Sequence, residues 1–177
     1  MNIPNLTIRS NQSPYSQLSS LTFKQSSPSG AILPVLADEI SDEVSFRVYN
    51  NYALASSIAS ALNVRITTWD GSSASSHTAA KSVVANQWIR ISEYGFGESS
   101  GTPGLFTYWT DNKTAIGGNN AYSPQKGSNG GLSPMIRAGS DGNGCGFIEF
   151  KSSAHLPPDA QAGTQTFALS IEFDWLP

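Results

Sequence analysis

A period of two runs through the apolar residues of this chain. Phe167, Leu169, Ile171, Phe173 and Trp175 fall on one face of an extended segment, with Ala168, Ser170, Glu172 and Asp174 on the other. Successive side chains of extended backbone point to opposite faces, so such a row predicts a strand with one face buried. The pattern recurs. Val64, Ile66 and Thr68 alternate with Arg65, Thr67 and Trp69, and Phe46 and Val48 with Arg47 and Tyr49. Ile89 and Ile91 alternate with Trp88, Arg90 and Ser92, and Ile148 and Phe150 with Phe147, Glu149 and Lys151. Residues 18–25 form a weaker strand with Leu21 and Phe23 inward, and residues 32–36 and 105–109 complete a set of about eight.

Clusters of Gly, Ser, Asn and Pro separate these runs at residues 26–30, 71–76, 95–104, 117–131 and 139–146. Many short strands divided by turn clusters predict an all-β fold, a single-domain antiparallel β-sandwich of jelly-roll or immunoglobulin-like type. Pro34 cannot donate to a ladder and demotes its run to an edge or bulged strand. Leu54, Ile58 and Leu62 are spaced i, i+4, i+8, which makes residues 53–61 a candidate helix, with an ordered loop as the alternative. Residues 1–17 are polar, carry Pro4 and Pro14, and read as an extended N-terminal arm, leaving 18–177 as the sandwich.

A chain of 177 residues is the size of one domain. Only 13% of it is charged, about half the usual ~25%, and the net charge is −3. That balance gives no electrostatic footprint for nucleic acid or for an anionic membrane. No apolar run reaches the ~18 residues of a spanning helix. Cys145 is the single cysteine, and the start Met1-Asn2-Ile3-Pro4-Asn5-Leu6 lacks the basic and apolar regions of a signal peptide. A Lys-poor surface rich in Ser, Thr, Asn and Gly on a chain without an export tag fits a virion component assembled in a host cytoplasm.

Chemistry-bearing motifs are few. Gly97-Glu98-Ser99-Ser100-Gly101 matches G-x-S-x-G letter for letter, but a nucleophile elbow needs a helix after the serine. Thr102-Pro103-Gly104 starts no helix, and the segment reads as a loop. His77 and His155 lack partners at metal-ligand spacing, and Cys145 between Gly144 and Gly146 reads as a packed thiol rather than a nucleophile paired with His155. Asp141-Gly142-Asn143-Gly144 echoes a calcium loop, yet the twelfth position is Ser152 where a bidentate Glu is required. Asp38, Glu39, Asp42 and Glu43 form the densest acidic group, a solvated connection with a divalent cation as the alternative occupant. The sequence thus points to a protein without catalysis, cofactor or metal.

Aromatic residues at loops and strand ends remain: Trp69, Tyr94, Phe96, Tyr108, Trp109 and Tyr122. Flat rings with a polar edge anchor protein interfaces, stack on sugars, or cap the open ends of a sandwich core. Trp109 and Tyr122 flank the Gly/Asn-rich stretch and are the first choices for exposed aromatics.

Taken whole, the chain resembles accessory β-sandwich proteins of tailed-phage virions, the head decoration proteins and tail or fibre modules. The arm 1–17, the Ser45-Phe46-Arg47-Val48-Tyr49-Asn50-Asn51-Tyr52 strand, the Gly-rich loops and the terminal strand carry that likeness. The resemblance implies a structural protein that contacts other virion subunits or copies of itself, expected as a homo-oligomer. A lectin-like protein binding glycan through the loop aromatics is the alternative. A membrane-docking sandwich is disfavoured by the negative charge and the lack of a basic amphipathic helix.

Overall fold

The computed structural model describes residues 3–52, 58–69, 82–100, 102–137, 145–160 and 162–176. In chain order the elements are β1 (Leu6–Ser10), β2 (Gln25–Ser26), β3 (Ile32–Leu33), β4 (Val44–Asn50), β5 (Leu62–Trp69) and α1 (Ser82–Ala85). They continue with β6 (Ile89–Ser100), β7 (Thr102–Tyr108), β8 (Thr114–Ile116), β9 (Cys145–Ala154) and β10 (Ala168–Asp174). Every strand pair is antiparallel. The larger sheet runs β1-β4-β9-β6-β7, and β8 pairs with β6 beside β7. β6 serves both because it is twelve residues long: residues 89–91 take β8, and Gly95 onward takes β7. β5 and β10 form the smaller sheet, and single bridges from Ala61 to Ile136 and from Ile66 to Tyr122 extend it beyond β5.

The expected alternation builds the core. Phe46 and Val48 of β4, Ile148 and Phe150 of β9, and Ile89 and Ile91 of β6 are buried against Val64 and Ile66 of β5. Leu169, Ile171 and Phe173 of β10, with Phe167 just before it, pack on the same cluster, giving the one-domain antiparallel sandwich that the pattern predicts. Phe150 lies within it, stacked on Phe46 at 5.6 Å and met edge-on by Tyr122 at 6.3 Å. Phe150→Ala is expected to cost about 3–5 kcal/mol in urea denaturation, since neighbours in a packed sheet close only part of the cavity. A loss below about 1 kcal/mol would mean that the two layers collapse into the space.

Several segments depart from the sequence expectation. Residues 1–17 include β1, which pairs along its whole length with β4. The chain then turns back so that Leu18 N–H donates to Ile8 C=O at 2.9 Å and Ser10 N–H to Ser16 C=O at 2.9 Å, covering the free edge of β1. Of residues 18–25 only Gln25 belongs to a strand, although Leu18, Leu21 and Phe23 do pack on the core. The run from Ile32 stops at Leu33, where Pro34 removes the next donor. The candidate helix lies in part outside the described residues. Within them, Ala61 exchanges both backbone bonds with Ile136, a pairing that a helix cannot offer.

The Gly-rich stretch 95–104 is extended rather than a loop: Gly95 to Ser100 lie in β6 and Thr102 to Gly104 in β7. Local propensity favours a turn there, but packing on the sheet overrides it. A Cβ at Gly95 would strike Cζ and Cε2 of Phe106, so the ring packs against bare backbone. Gly117, at φ +132°, likewise sits where a side chain would strike the Val84 carbonyl.

Candidate functional site

The six aromatics singled out from the sequence do not form one site. Trp69 ends β5 opposite Ala168, half-buried. Phe96 points inward and packs on the main core. Tyr122 is a core residue only 5% exposed, which corrects its reading as an exposed loop ring. Its hydroxyl donates to Asp111 Oδ2 and accepts the Glu93 N–H at 2.9 Å, so the ring is locked at both ends.

Tyr94 and Tyr108 meet on the outer face of the larger sheet. Their rings lie edge to face at 4.9 Å with the hydroxyls 2.9 Å apart, and Tyr108 is 68% exposed. The Lys151 ammonium sits 3.7 Å from the Tyr94 ring centre, and Lys151 and Lys113 both reach Glu43 at 2.7 Å. Partial burial alone would push the Glu43 carboxyl up, but the two lysines hold it below its ordinary value. Glu43 is thus already neutralised, which removes it from a cation site. Among the described residues no three His, Cys, Asp or Glu side chains gather to hold a metal.

Further along that outer face is a cluster that sequence reasoning missed. Tyr49 and Phe147 are buried at outward positions of paired β4 and β9, 5.0 Å apart, and Phe106 stacks parallel to Phe147 at 6.3 Å. The Arg47 guanidinium lies 4.4 Å from the Phe147 centroid, 5.1 Å from Phe106 and 5.1 Å from Tyr15, while its Nε donates to Glu149 at 2.7 Å. Asn11 and Tyr15, from the segment after β1, close over this pair, with Asn11 Nδ2 donating to Glu149 Oε1 at 3.3 Å. The available signal was the placement of Tyr49 and Phe147, large rings in the nominally polar phase of their strands.

A second missed residue is Glu93. It falls in the inward phase after Ile89 and Ile91 and is wholly buried. Its Oε2 accepts the backbone N–H groups of Gln125 and Lys126, both at 2.9 Å, and its Oε1 has no partner among the described residues. Burial pushes its carboxyl up to about 7, helped by nearby Asp111 and opposed by the two N–H bonds and Lys126. Burial also raises Asp111, against its bond from Tyr122. This carboxylate pins the connection after β8 to the sheet. Its position in the inward phase was legible in the sequence.

The remaining chemical motifs come apart. Cys145 opens the ten-residue β9 and His155 follows its last residue, roughly 33 Å away along the chain, too far for a nucleophile pair. After Ser99 the chain turns into β7, so the strand–turn–helix of a nucleophile elbow is not formed. His77 and Asp141 to Gly144 lie outside the described residues. No family model matches the chain, and no curated protein or solved structure matches it either.

Two concavities accompany these groups. An apolar groove of about 760 Å³ is lined by Leu21, Phe23, Pro34, Trp88, Phe167 and Leu169 among others. A polar cleft of about 560 Å³ is lined by Trp109, Asp111, Asn112, Tyr122 and Gln125 with their neighbours.

Proposed function

We propose that the protein is a non-catalytic virion structural or accessory protein that works by contact with other subunits or with copies of itself. The observation that carries this reading is the apolar skin of the segment around β2 and β3. Ile32 is 66% exposed, Leu36 59% and Ile40 54%, and Leu33 is exposed beside them. Pro34 and Val35, within the same segment, line the rim of the 760 Å³ apolar groove. Large exposed apolar patches on soluble chains mark interaction surfaces. β10 adds a docking edge, because β5 is its only strand neighbour among the described residues. A standard interface of ~1,600 Å² is within reach of such a surface.

The test is solution mass by analytical ultracentrifugation, with co-sedimentation on phage heads and tails. The wild-type chain is expected to self-associate or to bind one of these lattices. Ile32→Lys with Leu36→Lys is expected to leave a folded monomer that binds neither, since two ammonium groups inside an apolar contact are costly to desolvate. A wild-type chain that stays monomeric at high concentration and binds neither lattice overturns the reading.

A further inference from the structure

The polar cleft between the end of β7 and the strand-like run at Tyr122 has a lining unlike the rest of the surface. Trp109 to Asn112 form one wall and Ala121 to Ser123 with Gln125 the other. Its one acid is already spent: Asp111 Oδ2 accepts from the Tyr122 hydroxyl and Oδ1 from the Glu93 N–H at 3.2 Å. Its buried ring is fixed as well, since Tyr122 forms the floor with its hydroxyl held inside. What the cleft still offers is neutral. Thr110, Asn112 and Gln125 are exposed, and their side chains hold no partner among the described residues.

The half-buried indole of Trp109 completes the lining. Lys126 Nζ stands 4.8 Å from its ring centre and is not part of the cleft wall. The backbone N–H of Trp109 donates to the Tyr94 carbonyl at 3.1 Å, which holds the chain at this residue, while the indole N–H is buried with no partner among the described residues. An aromatic ring beside amide and hydroxyl groups that carry no net charge is the chemistry of a polyol with one apolar face. The volume lies within the roughly 300–1,000 Å³ of small-ligand sites.

We propose that this cleft binds a neutral pyranose, whose C–H face stacks on Trp109 while Asn112 and Gln125 bond to its hydroxyls. Tyr122 acts as a positioning residue that holds Asp111 away from the ligand. This site is separate from the apolar patch around β2 and β3, so it stands or falls independently of the assembly reading.

The probes are neutral hexose and N-acetylhexosamine oligosaccharides, free in solution and immobilised on a surface, with a uronic-acid oligomer as the charged comparison. Binding is read by titration calorimetry and by the indole N–H resonance of Trp109, assigned with Trp109→Phe. At least one neutral probe is expected to bind saturably and to shift that resonance. Trp109→Ala should weaken it by about tenfold or more, the loss expected for a stacking contact. Tyr108→Ala, on the outer face of the larger sheet, should leave it unchanged. If Trp109→Ala does not fold, Asn112→Ala with Gln125→Ala decides the matter, because both side chains are exposed. Binding of immobilised glycan alone identifies a surface glycan as the source, and binding of both forms identifies a free sugar as sufficient. Saturable binding by no neutral probe, preference for the uronic-acid oligomer, or affinity untouched by the cleft variants overturns the proposal.

Discussion

Arg47→Ala is expected to destabilise the fold by about 3–5 kcal/mol, the cost of leaving one charge of a buried pair without its partner. Glu149 is nearly covered, and with Arg47 gone its carboxylate would keep only Asn11 as a side-chain donor among the described residues. The guanidinium also fills the space between Phe147, Phe106 and Tyr15, so its loss opens a gap under the returning segment. In a chain of this size the effect corresponds to a fall in Tm of roughly 10 °C. Arg47→Met with Glu149→Leu is expected to recover most of that loss, because an apolar pair of similar volume suits a site walled by aromatic rings. Thermal and urea denaturation of the two singles and the double give the coupling energy. A single variant that loses less than about 1 kcal/mol would show that water reaches the pair.

Stability should also depend on pH through Glu93. Its carboxyl titrates at about 7 in the folded chain against an ordinary 4.5. Between those values the folded state holds a proton that the unfolded state has released, so stability is highest below pH 4.5 and falls as pH rises toward and past 7. The displacement is worth about 3 kcal/mol. Glu93→Gln keeps an oxygen for the Gln125 and Lys126 N–H groups but cannot ionise. The stability of wild type relative to this variant should therefore drop by about 3 kcal/mol between pH 4 and pH 8, measured by denaturation at fixed salt. Taking the difference removes the opposite trends from Glu43 and His155, both of which are lowered in the fold. A difference that stays flat over this range would mean that Glu93 titrates in the fold where it does in the unfolded chain.

The strands with one clean apolar row were legible because a single periodicity decides which face meets the core. Phe46, Val48, Ile66, Ile89, Ile91, Ile148 and Phe150 all point where their spacing says they should. The outer-face cluster was not legible, because it depends on partners far apart in sequence: Arg47 and Glu149 are 102 residues apart, and Asn11 and Glu149 are 138 apart. No local pattern announces that residues 11–15 fold back over that face. The aromatics chosen from loop position were split for the same reason. Trp109 does border a cleft and Tyr108 is exposed, whereas Tyr122 packs in the core with its hydroxyl bonded to two other segments, at Glu93 and Asp111.

The ladder between β6 and β9 slips by one residue between Glu93 and Gly95, so that Tyr94 is an extra residue opposite β9. Ahead of the slip, Ile89, Ile91 and Glu93 look toward the core; beyond it, Phe96 does so although it is an odd number of positions away. One continuous strand therefore carries two reading frames. A homologue that lost the single residue at Tyr94 would merge the two frames and keep Phe96 inward, two positions after Glu93, just as losing a residue from the connection before β6 would leave the strand's facing untouched. Length differences among relatives should accordingly be tolerated at this position more readily than elsewhere in β6, where losing one residue would turn the side chains beyond it to the other face.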